Sequence, residues 1–287
     1  MHLQCGIHKL ELFSQNNACP KIMGILNITP DSFSDGGSYY HAGKISLDLV
    51  LKRAESMLSE GVDIIDVGGE STRPGAVPIS EQLELDRVIP VVEALVNKLG
   101  AFISVDTSTA KVISESACHG ASLINDVRAL QRDGALEAAA KTGLPVCLMH
   151  MQGQPDSMQK SPEYVDVIAE VSFFLRTRMA VCIAAGITKE RILLDPGFGF
   201  GKTLAHNLTL LARLQELAVL GQPILVGLSR KSILGQMLNR KPKERLPGSL
   251  ALALAAAERG AAIIRVHDVA ATRDVLQVFN AIKNYSI

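Results

Sequence analysis

Short apolar segments alternate with longer helix-like segments along most of the chain. Most of the short segments are continuously apolar, which is typical of parallel strands that are buried on both faces. They predict eight strands, at Ile22–Ile28, Val62–Val67, Phe102–Val105, Leu123–Ile124, Val146–Met149, Ile192–Leu194, Ile224–Leu228 and Ile263–Val266.

Glycines mark the ends of the helix-like segments between these strands. Gly100, Gly120, Gly143 and Gly186 each follow such a segment directly, where a left-handed residue commonly ends a helix. The predicted helices are Leu47–Leu58, Leu83–Leu99, Ala110–His119, Leu136–Thr142 and Val165–Ala185. The Ala-rich stretch Leu250–Ala262 is interpreted either as an interface or as a tightly packed barrel helix.

The strand–helix unit recurs about eight times, with no Pro- or Ser-rich linker to divide the chain. We therefore predict an α/β fold, a (β/α)8 TIM barrel forming a single domain over residues 1–287. Its core spans about residues 20–283, after a short N-terminal extension of residues 1–19. A doubly wound open sheet is the alternative, but the first strand–helix turn lacks the GxGxxG pattern.

Composition narrows the possible functions. The 29 basic residues balance the 29 acidic ones, which argues against a protein held to nucleic acid or anionic lipid by its net charge. Apolar residues make up 47% of the chain, charged residues 20% and aromatic residues 4%, as expected for a core-rich enzyme without a base-stacking surface.

Several features predict a cytoplasmic protein. The five cysteines are scattered and form no CxxC pair, which fits a reducing compartment. Cys147 and Cys182 lie in apolar runs and are interpreted as core residues. Residues 1–19 lack the pattern of a signal peptide, and no apolar run reaches the ~18 residues of a membrane span.

Each predicted strand is mainly apolar and has a polar or ionisable residue at or beside its end. In a barrel the catalytic residues gather at the carboxyl ends of the strands. Asp106 and Asp195 are the carboxylates best placed to accept paired N–H groups from a heterocycle, and Asn125 can read the same ring. Two roles are equally compatible with Asp66: it either lines the pocket or holds its own loop in place. The full series is Asn27, Asp66, Asp106, Asn125, His150, Asp195, Ser229 and His267.

Cationic residues cluster after the last two strands. Arg265 and His267 are two residues apart on one strand face, and Lys231 follows the preceding strand, a region where barrels often bind phosphate. Asn27 can offer an oxygen to Mg²⁺, which prefers few protein ligands together with phosphate oxygens. The basic run Arg240–Arg245 is interpreted as solvated surface.

Glycine-rich loops add two expectations. The loops at Asn27–Gly37 and Gly68–Gly75 combine Gly, Pro, hydroxyl and charged residues, as closing loops do. Asp195–Thr203 is similar to a phosphate-binding loop, but Pro196 occupies the position of a required glycine. We interpret it as a strand–helix turn, with Phe198 or Phe200 lining the pocket.

Taken together, the motifs resemble those of the dihydropteroate synthase family of folate biosynthesis. The resemblance extends in order from about Lys21 to Val269, and no position used for the family's chemistry departs from it. The matching stretches are MGILNITPDSFSDGG, DVGGESTRPGA, ISVDTS, INDV, PVCLMHMQG, LDPGFGFGK, GLSRKS and RVHDV.

This resemblance implies a TIM barrel that condenses 6-hydroxymethyl-7,8-dihydropterin pyrophosphate with p-aminobenzoate. The products are 7,8-dihydropteroate and pyrophosphate, Mg²⁺ is the cofactor, and sulfonamides are competitors. The family is usually a homodimer, with no nucleic-acid or membrane partner implied.

The resemblance also implies the residue roles. Those for catalysis are Asp106, Lys231, Arg265 and His267. The pterin pocket comprises Asp106, Asn125, Val127, Met149, Asp195, Phe200, Gly227 and Lys231. Pyrophosphate binds Asn27, Arg73, Arg265 and His267, with Asn27 also near the metal. The p-aminobenzoate site comprises Phe33, Thr72, Arg73, Pro74, Phe200, Ser229 and Lys231.

Two other functions are compatible with a pterin-binding barrel. A methyltransferase that takes its methyl group from methyltetrahydrofolate needs the Asp and Asn residues but no pyrophosphate site. A non-catalytic homologue would be expected to have lost some of Asn27, Asp106, Lys231 or the Thr72–Arg73 loop. All of these residues are present, which favours the synthase.

Overall fold

The computed structural model describes residues 2–5, 8–12, 19–29, 39–41, 44–72, 75–153, 158–159 and 161–285. Two small antiparallel ribbons precede the first helix: β1 (His2–Cys5) with β2 (His8–Glu11), and β4 (Tyr40–His41) with β5 (Lys44–Ile45). The large sheet is parallel. Its strands are β3 (Lys21–Asn27), β6 (Ile64–Gly68), β7 (Ile103–Asp106), β8 (Leu123–Asp126), β9 (Val146–Met149), β10 (Ile192–Asp195), β11 (Leu225–Val226) and β12 (Ile263–Val266).

This sheet closes on itself. Neighbouring strands pair in chain order from β3 through β6 to β10, and β12 pairs with both β11 and β3. The remaining gap is bridged between β10 and β11, where Leu194 pairs with Ile224 and its N–H donates to the Pro223 carbonyl at 3.0 Å. The predicted TIM barrel is confirmed, and the open doubly wound sheet is not formed.

Helices follow the barrel strands as the pattern predicts. The capping residues set their exact starts: the Ser80 hydroxyl accepts from Leu83 N before α2, and Asp166 accepts from Ile168 N before α5. The Ala-rich stretch forms part of α8, with Ala253, Ala256 and Ala257 buried against the barrel. The helices are α1 (Leu47–Ser59), α2 (Glu81–Leu99), α3 (Ala110–Cys118), α4 (Ala135–Thr142), α5 (Val167–Ala184), α6 (Leu204–Ala212), α7 (Ser232–Leu238), α8 (Leu246–Glu258) and α9 (Val269–Tyr285).

Three short 3₁₀ helices, Lys189–Arg191, Leu214–Leu220 and Pro242–Glu244, complete these connections. Within the described ranges, none of the helices combines the length and the apolar character that crossing a bilayer requires.

The interior of the barrel is layered by the two-residue period of its strands. Successive side chains of a strand point to opposite faces, so residues two apart face the same side. Near the amino ends of seven strands this side is apolar: Met23, Ile64, Leu123, Cys147, Leu193, Leu225 and Ile263 belong to one buried cluster. Two residues further along the same strands stand Ile25, Asp66, Asn125, Met149, Asp195, Gly227 and Arg265. We call this second layer the polar layer, because Asp66, Asn125, Asp195 and Arg265 belong to it. It lies directly above the apolar layer, which we call the floor.

The β1–β2 hairpin closes this floor from below. Leu3, Leu10 and Leu12 are buried in the same cluster as the floor residues. The N-terminal extension predicted for residues 1–19 thus includes a segment that packs against the barrel. Because this packing is apolar, the hairpin contributes to stability mainly by keeping water from the floor.

We predict that Leu10→Ala, at a side chain only 8% exposed, lowers the free energy of unfolding by about 2–5 kcal/mol. The matched control is Leu49→Ala on α1, where the side chain is 43% exposed and the expected loss is within about 0.5 kcal/mol. Urea denaturation followed by circular dichroism measures both. Equal losses for the two variants would show that the hairpin does not stabilise the barrel.

Candidate active site

A cavity of about 450 Å³ opens at the carboxyl ends of the strands. Its wall contains residues from β3, β7 and β12 and from the loops after β6, β10 and β11. Among them are Asn27, Thr72, Asp106, Phe200, Gly227, Ser229, Lys231, Arg265 and His267. A second cavity, of about 320 Å³, is lined by Val127 and Met149 among others. Glu70 and Ser71 line both cavities, so the two adjoin.

Arg265 joins two carboxylates on the neighbouring strands β6 and β7. Its Nε donates to Asp66 Oδ2 at 2.6 Å, and its Nη2 donates to Asp106 Oδ2 at 2.9 Å. Asp66 is 0% exposed and also accepts from Asn125 Nδ2 at 3.2 Å. Asp66 therefore orients both Arg265 and Asn125 within the same layer.

One guanidinium serves two carboxylates here, the fully buried Asp66 and the largely buried Asp106, and the electrostatics follow from that imbalance. Burial raises the pKa of Asp106 to about 7; Arg265 opposes this rise and the Asp66 charge adds to it. Burial disfavours the charge on Arg265, but Asp66 and Asp106 outweigh burial and raise the pKa of Arg265. Asp106 can consequently exchange a proton near neutral pH, whereas Arg265 remains a cation.

Lys231 lies against the loop after β10. Its Nζ donates to the Phe198 carbonyl and lies 4.7 Å from the centre of the Phe200 ring, a cation–π distance. Burial lowers the pKa of Lys231 to about 8, with the Asp195 charge opposing. Burial also raises the pKa of Asp195, while Lys231 and the N–H of Gly197 at 2.7 Å act in the opposite direction.

The end of β12 and the loop after β11 are tied together by His267 and Ser229. The His267 N–H donates to Ser229 Oγ at 3.2 Å, and His267 Nδ1 lies 3.0 Å from the same oxygen. The neighbouring Arg230 pairs with Asp268 through Nε at 2.9 Å. With Arg265 and Lys231, this side of the cavity combines cationic and hydroxyl groups that suit an anion.

A buried polar network supports the start of the loop after β6. Arg128 Nη1 donates to Glu70 Oε2 at 3.1 Å, and Arg132 lies 3.6 Å from the other oxygen of Glu70. Beneath them Glu84 accepts from the hydroxyls of Thr107 and Thr109 at 2.5 and 2.6 Å, and burial raises the pKa of Glu84. Glu70 is thereby held where the two cavities meet.

In the part of the chain that the structure describes, three or more His, Cys, Asp or Glu side chains nowhere cluster as a metal site would require. Asn27, at the carboxyl end of β3, lines the larger cavity. A single amide oxygen at the cavity wall fits a metal such as Mg²⁺, which takes its remaining ligands from water and from phosphate oxygens.

The comparisons with known proteins agree with this geometry. Residues 23–267 match the family model described as pterin binding enzyme. The chain is 56% identical to dihydropteroate synthase of Escherichia coli (strain K12) over 276 residues, covering 95% of this chain and 96% of that protein. The chain belongs to the dihydropteroate synthases.

Solved structures of dihydropteroate synthases have the same fold. A Yersinia pestis enzyme in complex with a sulfonamide drug matches with a TM-score of 0.94 and 56% identity, over 99% of this chain and 100% of that one. A Xanthomonas albilineans enzyme with 4-aminobenzoic acid matches with a TM-score of 0.89 and 46% identity, over 98% of each chain. This chain is accordingly a transferase of the folate pathway.

The structure places the residues predicted for a dihydropteroate synthase in distinct parts of the barrel end. The larger cavity brings together Asn27, Thr72, Asp106, Phe200, Gly227, Ser229, Lys231, Arg265 and His267. Val127 and Met149 line the smaller cavity, while Asn125 and Asp195 are buried at the ends of β8 and β10. Phe33, Arg73 and Pro74, with most of the first predicted closing loop, lie outside the described residues.

One expectation from the sequence is revised, and two alternatives left open there are resolved. Arg245 is not simply solvated surface, because it lines the larger cavity and its Nη1 donates to the Arg230 carbonyl at 3.0 Å. Of the two candidate phenylalanines, Phe200 lines the cavity and Phe198 is fully buried. Asp66, left open between two roles, is a buried partner of Arg265.

Sequence reasoning missed the supporting residues Glu70, Glu84, Arg128 and Lys202. Glu84 could have been found from the sequence, because it shares a helix face with Val88 and Val91. A carboxylate on an otherwise apolar face of α2 indicates a buried polar contact. Arg128 and Glu70 carried no comparable signal, because their pairing depends on which loops the barrel brings together.

We predict that Arg265→Met lowers the free energy of unfolding by about 3–5 kcal/mol, because Asp66 and Asp106 lose their shared cation while remaining buried. Adding Asp66→Asn to that variant should recover part of the loss by removing one unpaired charge. Arg259→Met, at a partly exposed arginine on the outer face, is the matched control and should change stability by less than about 1 kcal/mol. Thermal unfolding at pH 8 measures all three. No recovery in the double variant would contradict the electrostatic explanation.

Proposed function

We propose that this dihydropteroate synthase carries out its condensation in the larger cavity, with the pterin ring toward Asp106 and the pyrophosphate toward His267. The observation that carries this proposal is the position of Arg265 between them. The guanidinium orients an acceptor for the N–H edge of the pterin and also presents positive charge to the leaving group.

The pterin pocket in this proposal combines polar and apolar walls. The carboxylates of Asp106 and Asp195 accept from ring and amino N–H groups, Asn125 offers both donor and acceptor, and Lys231 donates to a ring acceptor. Phe200 and Gly227 of the larger cavity form the pocket's apolar walls, together with Val127 and Met149 of the adjoining smaller cavity. The burial of Asn125 and Asp195 supports this role, because buried polar groups discriminate strongly against ligands that leave them unpaired.

The pyrophosphate is assigned to Asn27, Arg265 and His267, with Arg73 added by family resemblance. Asn27 also fits the proposed Mg²⁺ site. When bound there, Mg²⁺ would neutralise charge on the pyrophosphate oxygens. The protein's own part is to hold the Arg265 cation and the His267 imidazole beside the leaving group, fixed by Asp66 and Ser229 before the reaction begins.

The proposed reaction is a substitution at the methylene carbon of the pterin. The carbon–oxygen bond to pyrophosphate breaks and its electron pair leaves with the pyrophosphate, giving a pterin-stabilised cation. The amine of p-aminobenzoate then donates its lone pair to that carbon and loses one proton. The Asp106 carboxylate stabilises the cation electrostatically, so the chemistry needs no protein nucleophile.

The p-aminobenzoate site is proposed at the rim of the same cavity. Thr72, Phe200, Ser229 and Lys231 line it, and Phe33, Arg73 and Pro74 join it by family resemblance. The Xanthomonas albilineans relative holds 4-aminobenzoic acid and the Yersinia pestis relative a sulfonamide drug. We therefore expect sulfonamides to compete with p-aminobenzoate here.

We also propose that the chain acts as a homodimer in the cytoplasm. The dimer is supported by family resemblance. The reducing compartment is supported by Cys118, Cys147 and Cys182, which are free thiols. Sedimentation equilibrium at micromolar concentration should give about twice the mass of the chain, and the mass of a single chain would overturn the dimer.

The function is tested by incubating the protein with the pterin pyrophosphate, p-aminobenzoate and Mg²⁺. Dihydropteroate and pyrophosphate should form in equal amounts. Methyl transfer from methyltetrahydrofolate without pyrophosphate release would instead indicate the methyltransferase, and pterin binding without turnover would indicate a non-catalytic homologue. Asp106→Asn should lower kcat by about 10²–10³-fold, and an unchanged kcat would contradict the role of Asp106.

We predict a bell-shaped pH dependence of kcat/KM for the pterin substrate, with its maximum between about 7 and 8. As the pH falls through the Asp106 pKa of about 7, protonation removes the stabilising carboxylate. As the pH rises through the Lys231 pKa of about 8, the ammonium loses its charge. Lys231→Met should remove the basic limb and retain the acidic one. A basic limb that persists in this variant would contradict the assignment.

A further inference from the structure

Lys202 is a buried amino group outside the cavity, at the end of the glycine-rich turn. It is 3% exposed, and its Nζ lies 2.9 Å from His150 Nδ1, 2.9 Å from the Gly197 carbonyl and 3.1 Å from the Phe200 carbonyl. An ammonium group has three N–H donors; the two carbonyls accept two of them, and His150 Nδ1 accepts the third in the tautomer that carries its proton on Nε2. Its side chain is therefore directed into its own turn, unlike the lysine of a phosphate-binding loop.

The segment between those two carbonyls supports Lys231. Lys202 holds the carbonyls of Gly197 and Phe200, which flank Phe198 and Gly199. The Phe198 carbonyl accepts from Lys231, and the Phe200 ring lies under the Lys231 ammonium. Any shift of this segment would therefore move both groups that contact Lys231.

The backbone of this turn makes one hydrogen bond of its own, from Phe200 N to the Gly197 carbonyl at 3.1 Å, and is otherwise held by side chains. Gly197, Gly199 and Gly201 all have positive φ, at 70°, 78° and 59°. A Cβ at Gly197 would lie 1.8 Å from the His150 carbonyl oxygen, so only glycine fits that approach. Glycines lose more conformational freedom on folding than other residues, and a turn with three of them depends on side chains that fix it. Asn207 Oδ1 fixes Gly199 N at 2.7 Å, and Lys202 fixes the two ends.

We propose that Lys202 is a positioning residue for the dihydropteroate synthase reaction, holding the Gly197–Phe200 turn so that Phe198 and Phe200 fix the ammonium of Lys231 in the cavity. The inference rests on the role of Lys231 given under the proposed function. In this inference Lys202 does not touch the substrate, because it acts only through the turn.

The test is a double-mutant cycle of Lys202→Met and Lys231→Met, measured as KM for the pterin pyrophosphate, as kcat, and as calorimetric Kd for the same substrate. Lys202→Met should raise KM and Kd by about tenfold to a hundredfold. Because Lys202 acts through Lys231, adding Lys202→Met to the Lys231→Met variant should raise KM and Kd by less than a further threefold. Lys202→Gln, which keeps two N–H donors, should lie between the wild type and Lys202→Met and serves if Lys202→Met does not fold.

Leu10→Ala is the control for a general loss of stability, because it lies at the opposite end of the barrel and should leave KM unchanged. The inference would be overturned if folded Lys202 variants had an unchanged KM. It would also be overturned if the double variant raised KM by the product of the two single effects. If Lys231→Met itself leaves KM unchanged, the proposed role of Lys231 fails, and the role of Lys202 fails with it. If Lys231→Met raises KM and the Lys202 variants do not, only the inference about Lys202 fails.

Discussion

The arrangement of the site depends on the ion pairs that Arg265 makes with Asp66 and Asp106. Arg265 lies on β12, Asp66 on β6 and Asp106 on β7, so one guanidinium connects strands on both sides of β3. Charges buried this way are expensive to desolvate, and the hydrophobic core alone would be more stable without them. Their retention is explained by function, because they keep a carboxylate and a cation at fixed positions inside one cavity.

This polar layer exists because the two-residue period of the strands separates it from an apolar floor. The β1–β2 hairpin and the first inward residue of seven strands exclude water from below. Of the next inward residues, Ile25, Gly227 and Arg265 line the larger cavity, whereas Asp66, Asn125 and Asp195 are buried beside it. Low-dielectric surroundings strengthen each electrostatic interaction in the polar layer and shift the pKa values of Asp106 and Lys231 toward neutrality. By excluding water, the floor thus helps to shift these pKa values into the range in which the two groups can change charge near neutral pH.

Much of this could be predicted from the sequence. Strands buried on both faces form continuous apolar runs, so the eight barrel strands and the polar residue after each were visible in the pattern. The pairing of Arg265 with Asp66 could not be predicted, because it joins residues 199 positions apart and depends on barrel closure. Arg245 was misjudged for a related reason: a basic run indicates solvent exposure, but the contact of Arg245 with the Arg230 carbonyl depends on how the chain folds back over the 15 positions that separate them.

The most direct test of this account is the ionisation of Asp106 in the substrate-free protein. Carbon-13 NMR titration of the aspartate carboxyl carbons, assigned by comparison with Asp106→Asn, measures it without reference to catalysis. The account predicts a pKa of about 7 for Asp106, because burial and the neighbouring Asp66 outweigh the attraction of Arg265. A pKa near the ordinary aspartate value of about 3.9 would contradict it, since Asp106 would then behave as a solvated carboxylate.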